Sequence, residues 1–162
     1  MSTAHAPAPH IRRATRADLD ALLALEHGSF DHDRISRAQF LRHLGSGSAL
    51  VLVVTQAGAV HAAAVVLFRR GARTARLYSI AVDAAARGRG YGAALLDAAE
   101  RLARKRGCTG MRLEVRTDNR AAIALYERRG YRRRERLAGF YENGSDAWRY
   151  DKDLGAVTPK PS

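Results

Sequence analysis

Residues 78–93, YSIAVDAAARGRGYGA, run from an apolar strand through a glycine-rich turn into the start of a helix. Gly88, Gly90 and Gly92 free the main chain to turn sharply and to approach a ligand closely. The first turn of the helix offers N–H groups with no partner inside the helix, at the positive end of its dipole. Arg87 and Arg89 add fixed charge beside those donors. The stretch therefore predicts an anion site, with a phosphate-bearing ligand as its natural occupant.

Working outward, IRRA at 11–14 predicts a short strand, and Thr15 with Asp18 predicts a capping-box start to a helix with Leu19, Leu22, Leu23 and Leu25 on its apolar side. HGSFDHDRI, 27–35, predicts a loop ending that helix, and Ser36 caps a second one that turns Phe40, Leu41 and Leu44 to the core. Ala49 to Thr55, Val60 to Phe68 and Ala75 to Val82 predict a three-strand meander. The helix opened at Gly90 carries Tyr91, Ala94, Leu95, Ala98 and Leu102 at helical spacing and stops at Gly107. Met111, Leu113 and Val115 alternate with Arg112, Glu114 and Arg116, a fifth strand that a helical crossover makes parallel to the fourth. A helix from Asn119 to about Gly130 follows, then a hairpin of Tyr131 to Tyr141 and Asp146 to Leu154 turned at 142–145. The order predicts a mixed α+β sheet of about seven strands with helices on both faces.

Two cofactor patterns fit the glycine turn. Gly88, Gly90 and Ala93 satisfy the dinucleotide form G-x-G-x-x-G/A, with Glu114 downstream to hold a ribose. Against it, Asp83 to Arg87 separates the strand from the glycines, and Glu114 sits mid-strand. Arg87, Gly90 and Gly92 satisfy the other form, R/Q-x-x-G-x-G/A, the pyrophosphate loop of the GNAT superfamily of N-acetyltransferases. A second block, LEVRTDNRAAIALYERRGY from Leu113 to Tyr131, resembles the segment after the cofactor helix in the ribosomal-protein alanine N-acetyltransferases of that superfamily. With the strand-turn-helix before it, the resemblance covers roughly residues 11 to 154.

The resemblance implies a mostly antiparallel sheet whose parallel fourth and fifth strands splay apart to admit the pantetheine arm of acetyl-CoA. It implies that Arg87, Gly88, Arg89, Gly90, Tyr91, Gly92 and Ala93 hold the pyrophosphate, and that the backbone of Ile80, Ala81 and Val82 holds the pantetheine. Asn119 maps onto a pantetheine contact, although Asn is equally a favoured helix cap. Glu114 maps onto the general base. An unshifted glutamate is a weak base at neutral pH, so burial near the substrate has to raise it, and a competing reading pairs it with Arg112 and Arg116. Tyr126 maps onto the acid that protonates the coenzyme A sulfur, and otherwise reads as an aromatic fastening its helix to the sheet. Acceptor contacts are expected from Phe30 in the loop 26–33, from Tyr78 and Ser79, and from Tyr141 in GFYENGSDA, 139–147. The entrance loop SFDHDRIS, 29–36, lacks the aromatic and proline rich character of relatives acting on the ribosomal protein.

The expected reaction is direct transfer of acetyl to a primary amine, first a peptide or protein N-terminal α-amine, alternatively a small amine. A CoA- or RNA-binding module without turnover is a third reading. Length and 46% hydrophobic content suit a single domain at 10–155, between a disordered leader at 1–9 and a loose tail at 156–162. No run is apolar enough to span a bilayer and no leader is evident, so the address expected is cytoplasmic with no membrane partner. Cys108 stands alone, and the histidines lack ligand spacing, so no metal is expected. The net charge of +12 rests on 28 basic residues, 25 of them arginine; RRRER at 132–136 has no interleaved aromatics, which argues against single-strand nucleic acid. A monomer or a homodimer paired through an exposed last strand is expected.

Overall fold

The computed structural model describes residues 9–155. The leader and tail expectations fall on residues 1–8 and 156–162, outside the described residues, with only Pro9 of the leader inside. The elements are β1 (His10–Arg13), α1 (Leu19–Ser29), α2 (Arg37–Leu44), β2 (Ala49–Gln56), β3 (Ala59–Leu67), β4 (Thr74–Val82), α3 (Tyr91–Lys105), β5 (Gly110–Arg116), α4 (Arg120–Arg128), β6 (Arg132–Leu137) and β7 (Ala147–Asp153). Seven strands form one mixed sheet in the order β1-β2-β3-β4-β5-β7-β6, antiparallel except for β4 beside β5.

Two cores lie on opposite faces of this sheet. Leu50, Leu52, Val54, Ala62, Ala64 and Val66 pack with Leu95, Leu96, Ala99 and Tyr126 from α3 and α4. Their alternates Val51, Val53, Ala63 and Val65 pack with Leu19, Leu22, Leu25 and Phe40 from α1 and α2. Central strands buried on both faces read as the continuous β-branched and alanine runs of β2 and β3.

Pairing of β4 with β5 runs only from Thr74↔Gly110 to Leu77↔Leu113. Beyond it, β4 keeps β3 as its neighbour, with a register shift opposite Tyr78, while β5 keeps β7. The parallel pair is thus open at its carboxyl ends, as the resemblance implied. The bulge explains how, since an extra residue bends one strand away from its partner.

Three expectations are corrected. Helix α1 continues through Ser29, so the loop begins at Phe30 rather than His27. Strand β6 ends at Leu137: Gly139 takes a left-handed φ of 62° and its N–H is held by Asp146 Oδ1 at 2.9 Å, which starts a loop well before the turn closed by Gly144 N–H on the Tyr141 carbonyl. The last strand, β7, is no edge; it lies between β5 and β6, and the edge is β6.

Candidate functional site

The glycine loop follows β4 and a short 3-10 turn at Ala84–Ala86. Gly88 and Gly90 have φ of 84° and 79°, the left-handed region, and Gly90 is the cap from which α3 starts. The turn aims the free N–H groups of the first helical residues outward. Gly92 serves packing instead: a Cβ there would stand 3.0 Å from Leu125 Cδ2 of α4. Tyr91 is buried, with its hydroxyl on Gln56 Oε1, so its side chain anchors the helix start rather than meeting a ligand. Among the described residues, β4 beyond Leu77 has no hydrogen-bonded neighbour on its β5 side, which leaves the main chain of residues 78–82 bordering the gap. A phosphate-bearing group with an extended amide arm fits this combination of helix start and unpaired strand.

Alternation puts Met111, Leu113 and Val115 into the core of α3 and α4, and so turns Arg112, Glu114 and Arg116 to the opposite face. The Glu114 side chain is 4% exposed. Its Oε1 meets Arg76 Nη2 of β4 at 2.9 Å and Arg149 Nη2 of β7 at 3.8 Å, while Oε2 is buried without a hydrogen-bond partner. The competing pairing with Arg112 and Arg116 is not formed: same-face neighbours along one strand lie about 7 Å apart, whereas Arg149 is the cross-strand partner in register. Arg116 turns instead to Asp118 at 3.1 Å.

Tyr126 comes from the other face of the sheet. It is buried on α4, its ring 5.8 Å from that of Tyr131. Burial, with a smaller contribution from Tyr141, raises its phenol well above the usual tyrosine range. Tyr141 is pushed up to about 12 by burial, then by the charges of Glu114 and Asp33, with Arg116 and Arg76 opposing. Tyr141 thus feels the charge of Glu114, and Tyr126 feels that of Tyr141. Tyr131 is fixed by Glu100, whose Oε2 accepts from its hydroxyl at 3.0 Å and whose Oε1 accepts from Lys152 at 2.8 Å.

Asn119 caps α4, its Oδ1 accepting from the Ala122 N–H at 3.2 Å. Ser79 donates its hydroxyl to Glu26 Oε1 at 2.9 Å, and Glu26 Oε2 accepts from the Ile35 N–H at 2.9 Å. Glu26 is a buried carboxylate, raised by desolvation, that ties α1 and the following loop to β4. The sequence carried a signal for it: Glu26 falls one turn after Leu22 on the apolar stripe of α1. Phe30 ends α1 and packs on its core, Tyr78 is exposed beneath the Arg76 guanidinium, and the Glu142 N–H reaches Asp33 Oδ1 at 3.4 Å, joining the two loops.

The sequence matches the Acetyltransferase (GNAT) family over residues 17–131. It is 42% identical over 64 residues to N-alpha-acetyltransferase 30 of Schizosaccharomyces pombe, a match covering 40% of this chain and 43% of that protein. The match thus spans less than half the length of that relative. Among solved structures, the ribosomal-protein-S18-alanine N-acetyltransferase from Escherichia coli superposes with a TM-score of 0.82 at 28% identity, over 96% of this chain and 99% of that one. The ribosomal-protein-alanine N-acetyltransferase from Brucella melitensis superposes with a TM-score of 0.77 at 27% identity, over 89% and 99%.

Proposed function

The chain belongs to the GNAT acetyltransferase family, and from that premise we propose that it transfers an acetyl group from acetyl-CoA directly to a primary amine, with a peptide or protein N-terminal α-amine as the acceptor. The observation that carries the reading is the gap between β4 and β5 beside the helix start at Gly90, with the enclosed Glu114 side chain on β5 leaving Oε2 without a hydrogen-bond partner. The likeness to two enzymes named for ribosomal-protein alanine and one named for an α-amine supports the acceptor class.

In this reading residues 87–93 hold the pyrophosphate through main-chain N–H groups, with charge from Arg87 and Arg89. The open backbone of Ile80, Ala81 and Val82 holds the pantetheine arm, and Asn119 adds its amide while its Oδ1 caps α4. When bound, acetyl-CoA supplies the thioester to be attacked. Glu114 takes a proton from the acceptor ammonium at Oε2, the oxygen that the protein leaves without a partner. Two guanidiniums occupy Oε1, which leaves Oε2 as the oxygen able to take the proton. Tyr126 keeps its proton across the neutral range and gives it up at its hydroxyl to the departing sulfur. Tyr141, Phe30, Tyr78 and Ser79 border the acceptor, the last two through the bulged start of the open strand.

Calorimetry with acetyl-CoA, then thiol release with an N-terminal peptide library and an amine panel, tests the reading. Binding with turnover of peptides is the expected result. Turnover of small amines alone removes the peptide acceptor, and absence of acetyl-CoA binding removes the whole proposal.

A further inference from the structure

Around Glu114 the charges do not balance inside the cleft. One carboxylate, 4% exposed, faces the guanidiniums of Arg76 and Arg149, and Arg116 stands two residues further along the same strand face. The acids that accompany Arg149 and Arg116 lie outside: Glu135 at 2.7 Å is 54% exposed and Asp118 at 3.1 Å is 72% exposed. The Nε atoms of Arg76, Arg116 and Arg149 are buried without partners, and so is Glu114 Oε2. Donors and acceptor in one cluster thus leave each other unmet. The arginines lie further in, with side chains 36% (Arg76), 27% (Arg149) and 37% (Arg116) exposed, so water screens the acids' charge more than theirs and the inner side of this wall is positive.

Position gives the charge a meaning. Arg116 closes β5 at the end where β4 has left it, at the mouth of the gap. It lies about 7 Å beyond Glu114, the rise of two extended residues. On the loop that follows α1, Asp33 accepts from the Glu142 N–H at Oδ1. We propose that the acceptor site selects an amine whose chain carries a carboxylate one or two residues beyond the amino group, received by Arg116 with Arg76 and Arg149 behind it. Arginine suits this role because its planar fork pairs with a carboxylate through two parallel hydrogen bonds. The inference rests on the acyl transfer proposed above and narrows its acceptor.

The test is a peptide series with a constant first residue and Asp, Ser or Lys at the second and third positions. Steady-state rates are accompanied by calorimetric binding of the matching N-acetylated products in the presence of CoA. Wild type is expected to favour Asp over Lys by about tenfold in kcat/KM, the ratio of one charge-assisted contact. The Arg116→Gln variant brings that ratio within about twofold, and Arg116→Glu inverts it. The product affinities follow the same order. A flat series, a lysine preference in wild type, or an acid preference unchanged in both Arg116 variants overturns the inference while leaving acyl transfer standing. No turnover of any peptide, with acetyl-CoA still bound, overturns the peptide reading and this inference together.

Discussion

Glu114 gives one oxygen to two arginines and keeps the other buried without a partner, and this division predicts how its variants behave. Glu114→Gln is expected to lower kcat/KM by about 10²–10⁴, the range of a general base, with acetyl-CoA affinity retained in calorimetry. Tyr126→Phe is expected to lower kcat in the same range, while its packing against Tyr131 survives. Two other carboxylates titrate with opposite sign. Asp18 is held low by the paired bonds from Arg12 at 2.8 and 2.9 Å and by the Thr15 N–H. Its contribution is present above the ordinary value of 3.8 and is lost as pH falls through the lower folded value. Asp18→Asn therefore destabilises at neutral pH, by about 1 kcal/mol or roughly 2–4 °C in Tm, and the difference shrinks in acid. Glu26, raised by burial, contributes below the ordinary 4.5 and loses that contribution as pH rises through the higher folded value. Thermal melts of Glu26→Gln against wild type are expected to move in the variant's favour as pH rises.

At the scale of the element, the anion loop separates two uses of glycine that look alike in sequence. Gly90 needs its left-handed φ to start α3, and added bulk there would meet nothing within 4 Å. Gly92 has an ordinary backbone, but a Cβ added there would press on the end of the Leu125 side chain. Alanine at Gly90 therefore strains or redirects the loop at a cost of about 1–2 kcal/mol, which predicts about tenfold weaker acetyl-CoA binding. Gly92→Ala asks only that a methyl move a few tenths of an ångström, so its affinity loss is expected to be smaller. Calorimetry on both variants checks the order. The β4 bulge is the other element-scale device, because the gap exists only where Tyr78 breaks register with β3.

For the molecule as a whole, the sheet ends on β6, whose RRRER carries five charges in six residues. Arg133 folds over the Trp148 ring at 4.1 Å, and Arg134 pairs with Asp151 at 2.7 Å, so part of the basic run is engaged by β7. A charged edge resists strand addition. The protein is expected to sediment as a monomer at micromolar concentration, and Arg132→Val with Arg134→Val to raise its association, as read by light scattering. The helices divide the labour across the sheet: α3 and α4 bring the glycine loop and Tyr126 from one side, and α1 with its loop brings Glu26 and Phe30 from the other.

The meander, the crossover helix and the caps at Ser36 and Asn119 were legible in the sequence because each rests on local periodicity or a local hydrogen bond. So was the glycine loop, since positive φ leaves its mark on residue type. The partner of Glu114 was not, because Arg76 and Arg149 lie far from it in sequence and meet it only through the register of three strands. Nor was the order of β7 and β6, for a hairpin's sequence does not say which of its strands joins the sheet. The sequence by itself determined the elements and the chemistry available to them. Tertiary structure decided which charges face each other and which oxygen of Glu114 stays free, since burial and pairing across strands are properties of the assembled sheet and of no single segment.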